Sequence, residues 1–128
     1  MIFPDNLKYT KDHEWIRVEG SVGIIGITDY AQSELGDVVF VEIANANEVK
    51  QGESFGTIEA VKTVSDIYAP VSGKIIEINK AIQDSPELVN RDPYGEGWMI
   101  KIEIKDMSEL NNLMDVEAYR AMVGKHSS

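Results

Sequence analysis

Cysteine is absent from this sequence. That absence excludes disulfide frameworks, thiolate metal sites and cysteine nucleophiles together. If the protein takes part in redox or acyl chemistry, the sulfur has to come from a group attached to it. Histidine is scarce: only His13 and His126 occur, the second in a C-terminal tail. There is no HExxH, Gly-rich phosphate loop, GxSxG or EF-hand pattern, and Gly95-Glu96-Gly97 leads into a strand pattern rather than a helix. Independent catalysis is therefore disfavoured. Positive charge is also short. With 12 Lys and Arg against 22 Asp and Glu, the net charge is -10, which argues against nucleic acid or an anionic membrane surface as partner. No apolar run approaches the length that spans a bilayer. The segment from Met1 to Lys8 resembles neither a signal peptide nor an Arg/Ser-rich transit sequence. The expectation is a cytoplasmic protein of bacterial type, or a mitochondrial-matrix protein if the chain is a processed mature form.

What is present suggests one domain over residues 1–128, with a real but modest core at 43% hydrophobic content. Strand patterns dominate. His13–Glu19 and Val22–Ile27 read as a hairpin turning at Gly20-Ser21. Asp29–Gly36 reads as a short helix, with Asp29 and Gln32 as a variant capping box and Gly36 as its stop. Val38–Ile43 is a strand with Phe40 as an aromatic core anchor, followed by strand patterns at Ser54–Glu59, Thr63–Tyr68 and Lys74–Asn79. The clearest strand is Trp98–Lys105, where Ile100, Ile102 and Ile104 share one face and Lys101, Glu103 and Lys105 the other. A short helix is expected from Ser85-Pro86-Glu87, with Ser85 as cap. A helical segment over 108–123 is expected to break near Asp115 and end at Gly124, leaving Lys125 to Ser128 frayed. Trp15 and Trp98 read as core or rim anchors, and Tyr94 as an aromatic that packs its loop down. A weak echo between Val38–Glu59 and Lys74–Ile104 suggests a quasi-symmetric sandwich of two small sheets.

Lys62 falls between the halves of that echo. The run Ile58–Asp66, followed by Ala69-Pro70-Val71-Ser72-Gly73, puts one lysine between two apolar-alternating strands, at a hairpin tip of about 58–66. A lone surface lysine is ordinarily a solubilising charge. Here an accessible turn and the lack of any other catalytic group make covalent attachment the sharper reading, and acylation would remove the amine's charge. His13-Glu14, at the start of a strand, reads as a solvated or hydrogen-bonded edge pair rather than a catalytic dyad.

Several blocks carry a resemblance that covers nearly the whole chain in order. They are Tyr9–Trp15, Gly26–Gln32, Leu35–Glu42, Phe55–Asp66, Ala69–Gly73, Asp84–Asn90 and Asp92–Lys101. Together they resemble the H proteins of the glycine cleavage system, the lipoyl-carrying subunits. One departure is Ala44-Asn45-Ala46-Asn47-Glu48, where the family usually has a Pro- and Gly-containing connection. The resemblance implies a mainly β fold, a barrel-sandwich hybrid with short flanking helices, and lipoate in amide linkage to Lys62. It implies a non-catalytic carrier that takes an aminomethyl group from the P protein (glycine decarboxylase) to the T protein (aminomethyltransferase) and electrons to the L protein (dihydrolipoyl dehydrogenase). A lipoate ligase or lipoyl/octanoyl transferase would load the arm. By the same resemblance, Glu14 and Asp66 line a cleft that receives the arm and holds its cationic amine.

Three alternatives stay open on sequence alone. A lipoyl/octanoyl relay that donates to other acceptor domains would use the same Lys62. A biotin carrier resembles this hairpin but has Met on both sides of the lysine, where this chain has Val61 and Thr63. A standalone enzyme would need turnover by the cofactor-free chain.

Overall fold

The computed structural model describes residues 1–44 and 47–127, and for 125–127 the backbone alone. Two antiparallel sheets carry the fold. The larger has six strands in the order β1-β2-β3-β9-β8-β5: β1 (Lys8–Tyr9), β2 (Glu14–Glu19), β3 (Val22–Ile27), β9 (Ile100–Ile104), β8 (Gly73–Ile78) and β5 (Glu48–Val49). The smaller has three, in the order β4-β6-β7: β4 (Val38–Ile43), β6 (Ser54–Ala60) and β7 (Val64–Tyr68). The arrangement is mainly β, as expected. The two halves of the sequence echo fall in different sheets, β4 and β6 in one and β8 and β9 in the other. β1 and β5 are two-residue strands, too short to show a period in the sequence.

The sheets close on a core of Ile16, Ile25, Val41, Phe55, Ile58, Ile67, Ile100 and Ile102, all at most 1% exposed. The alternation in β9 is the expected one, with Ile100, Ile102 and Ile104 buried and Glu103 exposed. A second cluster lies under the C-terminal helix α4 (Val116–Ser127) and joins Leu7, Tyr9, Trp15, Ile24 and Tyr119. Trp15 is fully buried and its indole N–H donates to the Pro93 carbonyl at 3.1 Å. Trp98 lies at the rim, with the Lys101 ammonium 5.0 Å from its ring centroid. Tyr94 holds its loop down: its hydroxyl accepts from the Asp29 N–H at 2.9 Å and donates to the Ile2 carbonyl at 2.7 Å.

Several local expectations are corrected. Helix α1 (Asp29–Leu35) is capped by Thr28, whose hydroxyl accepts from the Ala31 N–H at 3.2 Å. Thr28 is extended while Asp29 is already helical, so the cap lies one residue earlier than the Asp29/Gln32 reading had it. Gln32 instead donates to Asp29 Oδ1 at 2.8 Å. Gly36 does close the helix, at a φ of 78° that favours glycine.

Phe40 is not a core anchor. A register shift between Val38 and Phe40 turns both Val39 and Phe40 outward, leaves Phe40 46% exposed and gives the inner position to Val41. Ser85 is the C-cap of a helix the sequence did not signal, α2 (Ala81–Asp84). The next helix, α3 (Leu88–Arg91), begins three residues later without a side-chain cap. The C-terminal segment opens as a 3-10 turn, Met107–Asn112, and breaks where expected, with Asp115 Oδ1 accepting from the Ala118 N–H at 2.9 Å. Helix α4 then runs through Gly124 to Ser127, because an exposed glycine weakens a helix by only about 1 kcal/mol without forcing a stop. The expected fraying falls partly on Ser128, and the side chain of His126 with it, outside the described residues; so do Asn45 and Ala46 of the atypical loop.

Candidate functional site

Lys62 lies in the connection between β6 and β7. The turn Ala60-Val61-Lys62-Thr63 is closed by the Ala60 N–H donating to the Thr63 carbonyl at 2.8 Å. The Val61 N–H donates to the Asp37 carbonyl at 3.1 Å, which ties the turn to the segment before β4. Lys62 itself is exposed. Its ammonium thus stands on an anchored backbone with solvent around it.

A cleft of about 290 Å³ opens along the side of the same hairpin. Its floor includes Ile27, Ile58 and Ile67, and its walls carry four carboxylates, from Asp12, Glu14, Glu34 and Asp66. Glu14 and Asp66 are therefore brought together from opposite sheets, one at the start of β2 and the other on β7. Lys62 is not among the lining residues. It stands four residues before Asp66, roughly 13 Å of extended chain away.

The β1–β2 turn sets Glu14 in place. The Thr10 hydroxyl accepts from the N–H groups of Asp12 at 3.2 Å and Glu14 at 3.0 Å, and donates to Glu14 Oε1 at 2.6 Å. Glu14 Oε2 accepts from the backbone N–H of Tyr68 at 3.2 Å, bridging the six-stranded sheet to the last residue of β7. The side chain is 2% exposed. Burial pushes its carboxyl up from 4.5 to about 7, against the opposing pull of the Thr10 and Tyr68 hydrogen bonds, and the Asp12 charge adds to the rise. A carboxylate so placed is costly without a partner charge and would be favoured by a cation entering the cleft.

His13, next to Glu14, has a φ of 71°, and among the described residues no other non-glycine has a positive φ. Its Nδ1 lies 2.9 Å from the Tyr119 hydroxyl, and its ring lies 4.7 Å from that of Tyr30. The Tyr119 hydroxyl also meets Thr28 Oγ1 at 2.7 Å. One buried tyrosine from the C-terminal helix thus fixes both the strained residue beside Glu14 and the cap of α1. Backbone strain of this kind collects at functional sites.

The family resemblance pointed to Glu14 and Asp66, and His13 was read only as an edge partner of Glu14; Thr10, Tyr30 and Tyr119 were given no role. The signal for Thr10 was local, a hydroxyl four residues before an acid at a strand start. Tyr119 lies 106 residues from His13 and left no local trace.

A mainly β sandwich that presents one exposed lysine on a hairpin turn beside an acidic, apolar-floored cleft is the lipoyl-domain-like barrel-sandwich fold. The comparisons with known proteins narrow the class. The glycine cleavage H-protein family profile matches residues 7–126. A glycine cleavage system H protein of Bacteroides thetaiotaomicron is 58% identical over 124 residues, covering 96% of this chain and 98% of that one. One from Symbiobacterium thermophilum is 59% identical over 119 residues, covering 92% and 93%. A crystal structure of a glycine cleavage system H protein from Mycobacterium marinum superposes with a TM-score of 0.86 at 39% identity, over 95% of this chain and 99% of that one. The chain belongs to the glycine cleavage H-protein family.

Among the described residues, no helix is long and apolar enough to cross a membrane.

Proposed function

We propose that this chain is a single lipoyl-carrier domain that bears lipoate in amide linkage on Lys62 and serves glycine cleavage as a non-catalytic carrier. A lipoate ligase or a lipoyl/octanoyl transferase loads it. Once loaded, the chain would serve the P, T and L proteins in turn, carrying the aminomethyl unit from the first to the second and electrons to the third. Family membership supports the system. The observation that carries the attachment point is Lys62 on its tethered turn, exposed and held at Ala60 and Val61 by backbone hydrogen bonds. Lipoate, when bound, supplies the sulfur chemistry that a chain with no cysteine lacks.

The chain's own residues shelter that chemistry. The apolar floor of Ile27, Ile58 and Ile67 would exclude water from an arm end held in the cleft. The carboxylates of Glu14 and Asp66 hold a cationic amine. Because the Glu14 carboxyl titrates near 7, a cation entering the cleft drives off its proton, so retention strengthens as pH rises from about 6 to about 8.

The test is a reconstituted system with P, T and L proteins, glycine, tetrahydrofolate and NAD. Glycine-dependent NADH formation should follow the concentration of the loaded wild-type chain and vanish with Lys62→Arg. Turnover sustained by Lys62→Arg refutes the attachment. Glu14→Ala should accelerate loss of the carried unit without blocking loading, and unchanged release rates remove Glu14 from the cleft's role.

A further inference from the structure

The outer face of the three-stranded sheet sets exposed apolar side chains among its acids: beside the polar cross-strand row of Glu42, Thr57 and Asp66 lies a row in which two of three side chains are apolar. Phe40 pairs across to Glu59, and Glu59 pairs across to Val64, so the three side chains form one row on one face. Phe40 is 46% exposed and Val64 64%; Val39, at 50%, and Val61, at 70%, extend the patch to the turn that carries Lys62. The register shift in β4 is what turns two consecutive apolar residues outward. A protein gains nothing in stability from exposing these side chains, and a cluster of exposed apolar residues marks an interaction site.

The segments that build this sheet carry acids and a single base. Over residues 34–44 and 53–68 the acids are Glu34, Asp37, Glu42, Glu53, Glu59 and Asp66, and Lys62 is the sole basic residue. A second copy of the chain would bring these acids against one another at a net charge of -10 each, which opposes self-association. A partner with an apolar pocket and a basic rim fits instead.

We propose that this face, centred on Phe40 and Val64, is the docking surface for the enzyme that acylates Lys62. The inference rests on the lipoate reading of Lys62 and adds the surface by which the lysine is recognised. Reach selects this occupant. A lysine stem extends its amine only roughly 6 Å from the backbone, and the reacting atoms must come within about 3–3.5 Å. The acylating enzyme therefore has to cover the surface immediately around Lys62. Enzymes that act on the far end of a loaded arm have no such constraint. In the step itself the deprotonated Nζ forms a bond to the acyl carbonyl carbon of an acyl thioester or acyl adenylate. The C–S or C–O bond breaks, its electron pair leaves with the thiolate or with AMP, and the amine's remaining surplus proton passes to solvent.

The experiment measures acylation of the full apo chain by a lipoate-ligating enzyme with lipoate and ATP, read by intact mass. Phe40→Thr combined with Val64→Thr should lower kcat/KM at least tenfold, through KM, while the thermal midpoint stays within a few degrees. The single variant Val64→Lys, at a position 64% exposed, gives the same readout without touching the bulge. Glu59→Lys should weaken the salt dependence of kcat/KM. Acylation of the folded variants within twofold of wild type overturns the proposal. So does sedimentation showing a wild-type dimer that the variants lose while acylation is unchanged. Lys62→Arg separates the two claims: acylation that persists in it refutes the lipoate reading, whereas normal acylation at Lys62 that ignores Phe40 and Val64 refutes the docking surface alone.

Discussion

Replacing Glu14 with glutamine should stabilise this protein, and the gain should depend on pH. The carboxyl titrates at about 7 in the fold against an ordinary 4.5, because it is buried. Between those values the folded chain holds a proton that the unfolded chain has released, so stability falls as pH rises. Below 4.5 both states are protonated and there is no penalty; above 7 both are ionised and the penalty is complete. At about 1.4 kcal/mol per pH unit, the full penalty is about 3 kcal/mol. A glutamine side chain would keep the shape of the protonated acid: its amide oxygen can accept from the Tyr68 N–H, and its NH2 faces the Thr10 hydroxyl, which takes it in place of one of the two backbone N–H groups it now accepts. Glu14→Gln should therefore match wild type near pH 4 and exceed it by about 3 kcal/mol at about pH 8. Urea unfolding at several pH values reads this directly. With a slope of about 1–3 kcal/mol/M, the midpoint should move by at least about 1 M at about pH 8 and hardly at about pH 4. A stability difference that stays constant across pH would refute the reasoning, since it would mean that Glu14 does not titrate in that window. Keeping an acid that costs this much is the pattern expected of a group retained for function rather than stability.

Other perturbations test the supports of the cleft. Tyr119→Phe removes the hydroxyl that meets Thr28 at 2.7 Å and His13 at 2.9 Å, and should cost about 1–2 kcal/mol in chemical denaturation. Thr28→Ala removes the cap of α1, and should cost about 1 kcal/mol by the same assay while loosening the helix that lines the cleft with Tyr30 and Glu34. Gly73→Ala places a Cβ well inside contact distance of the Glu103 carbonyl in the neighbouring strand β9, and should cost about 1–3 kcal/mol, seen as a lower thermal midpoint.

The elements that were legible in the sequence are those whose determinants are local. The β2–β3 hairpin carries its turn at Gly20-Ser21, β9 its period of two, and the break before α4 its capping Asp115. Phe40 misled because the bulge that exposes it depends on how β4 lies against β6, and no residue within β4 announces that register. The same limit applies to the cleft. Glu14 looked like a solvated edge acid because the Tyr68 amide that receives it is 54 residues away. Asn90 is similar: its side chain accepts from the Val38 N–H at 2.9 Å and donates to the Gly36 carbonyl at 2.8 Å, locking the α1–β4 connection from a distant helix. The exposed turn at Lys62 was legible because its surroundings are contiguous in sequence, from Ile58 to Asp66. The acidic cleft beside it could be named only through the family resemblance.

The central claim is that Lys62 is the point of attachment. The most direct measurement is intact mass followed by peptide mapping after incubation with lipoate, ATP and a lipoate-ligating enzyme, run beside Lys62→Arg. A single lipoyl adduct on the peptide that contains Lys62, absent from the variant, is the predicted result. The same adduct on Lys62→Arg, or an adduct on any other lysine of the wild-type chain, contradicts it.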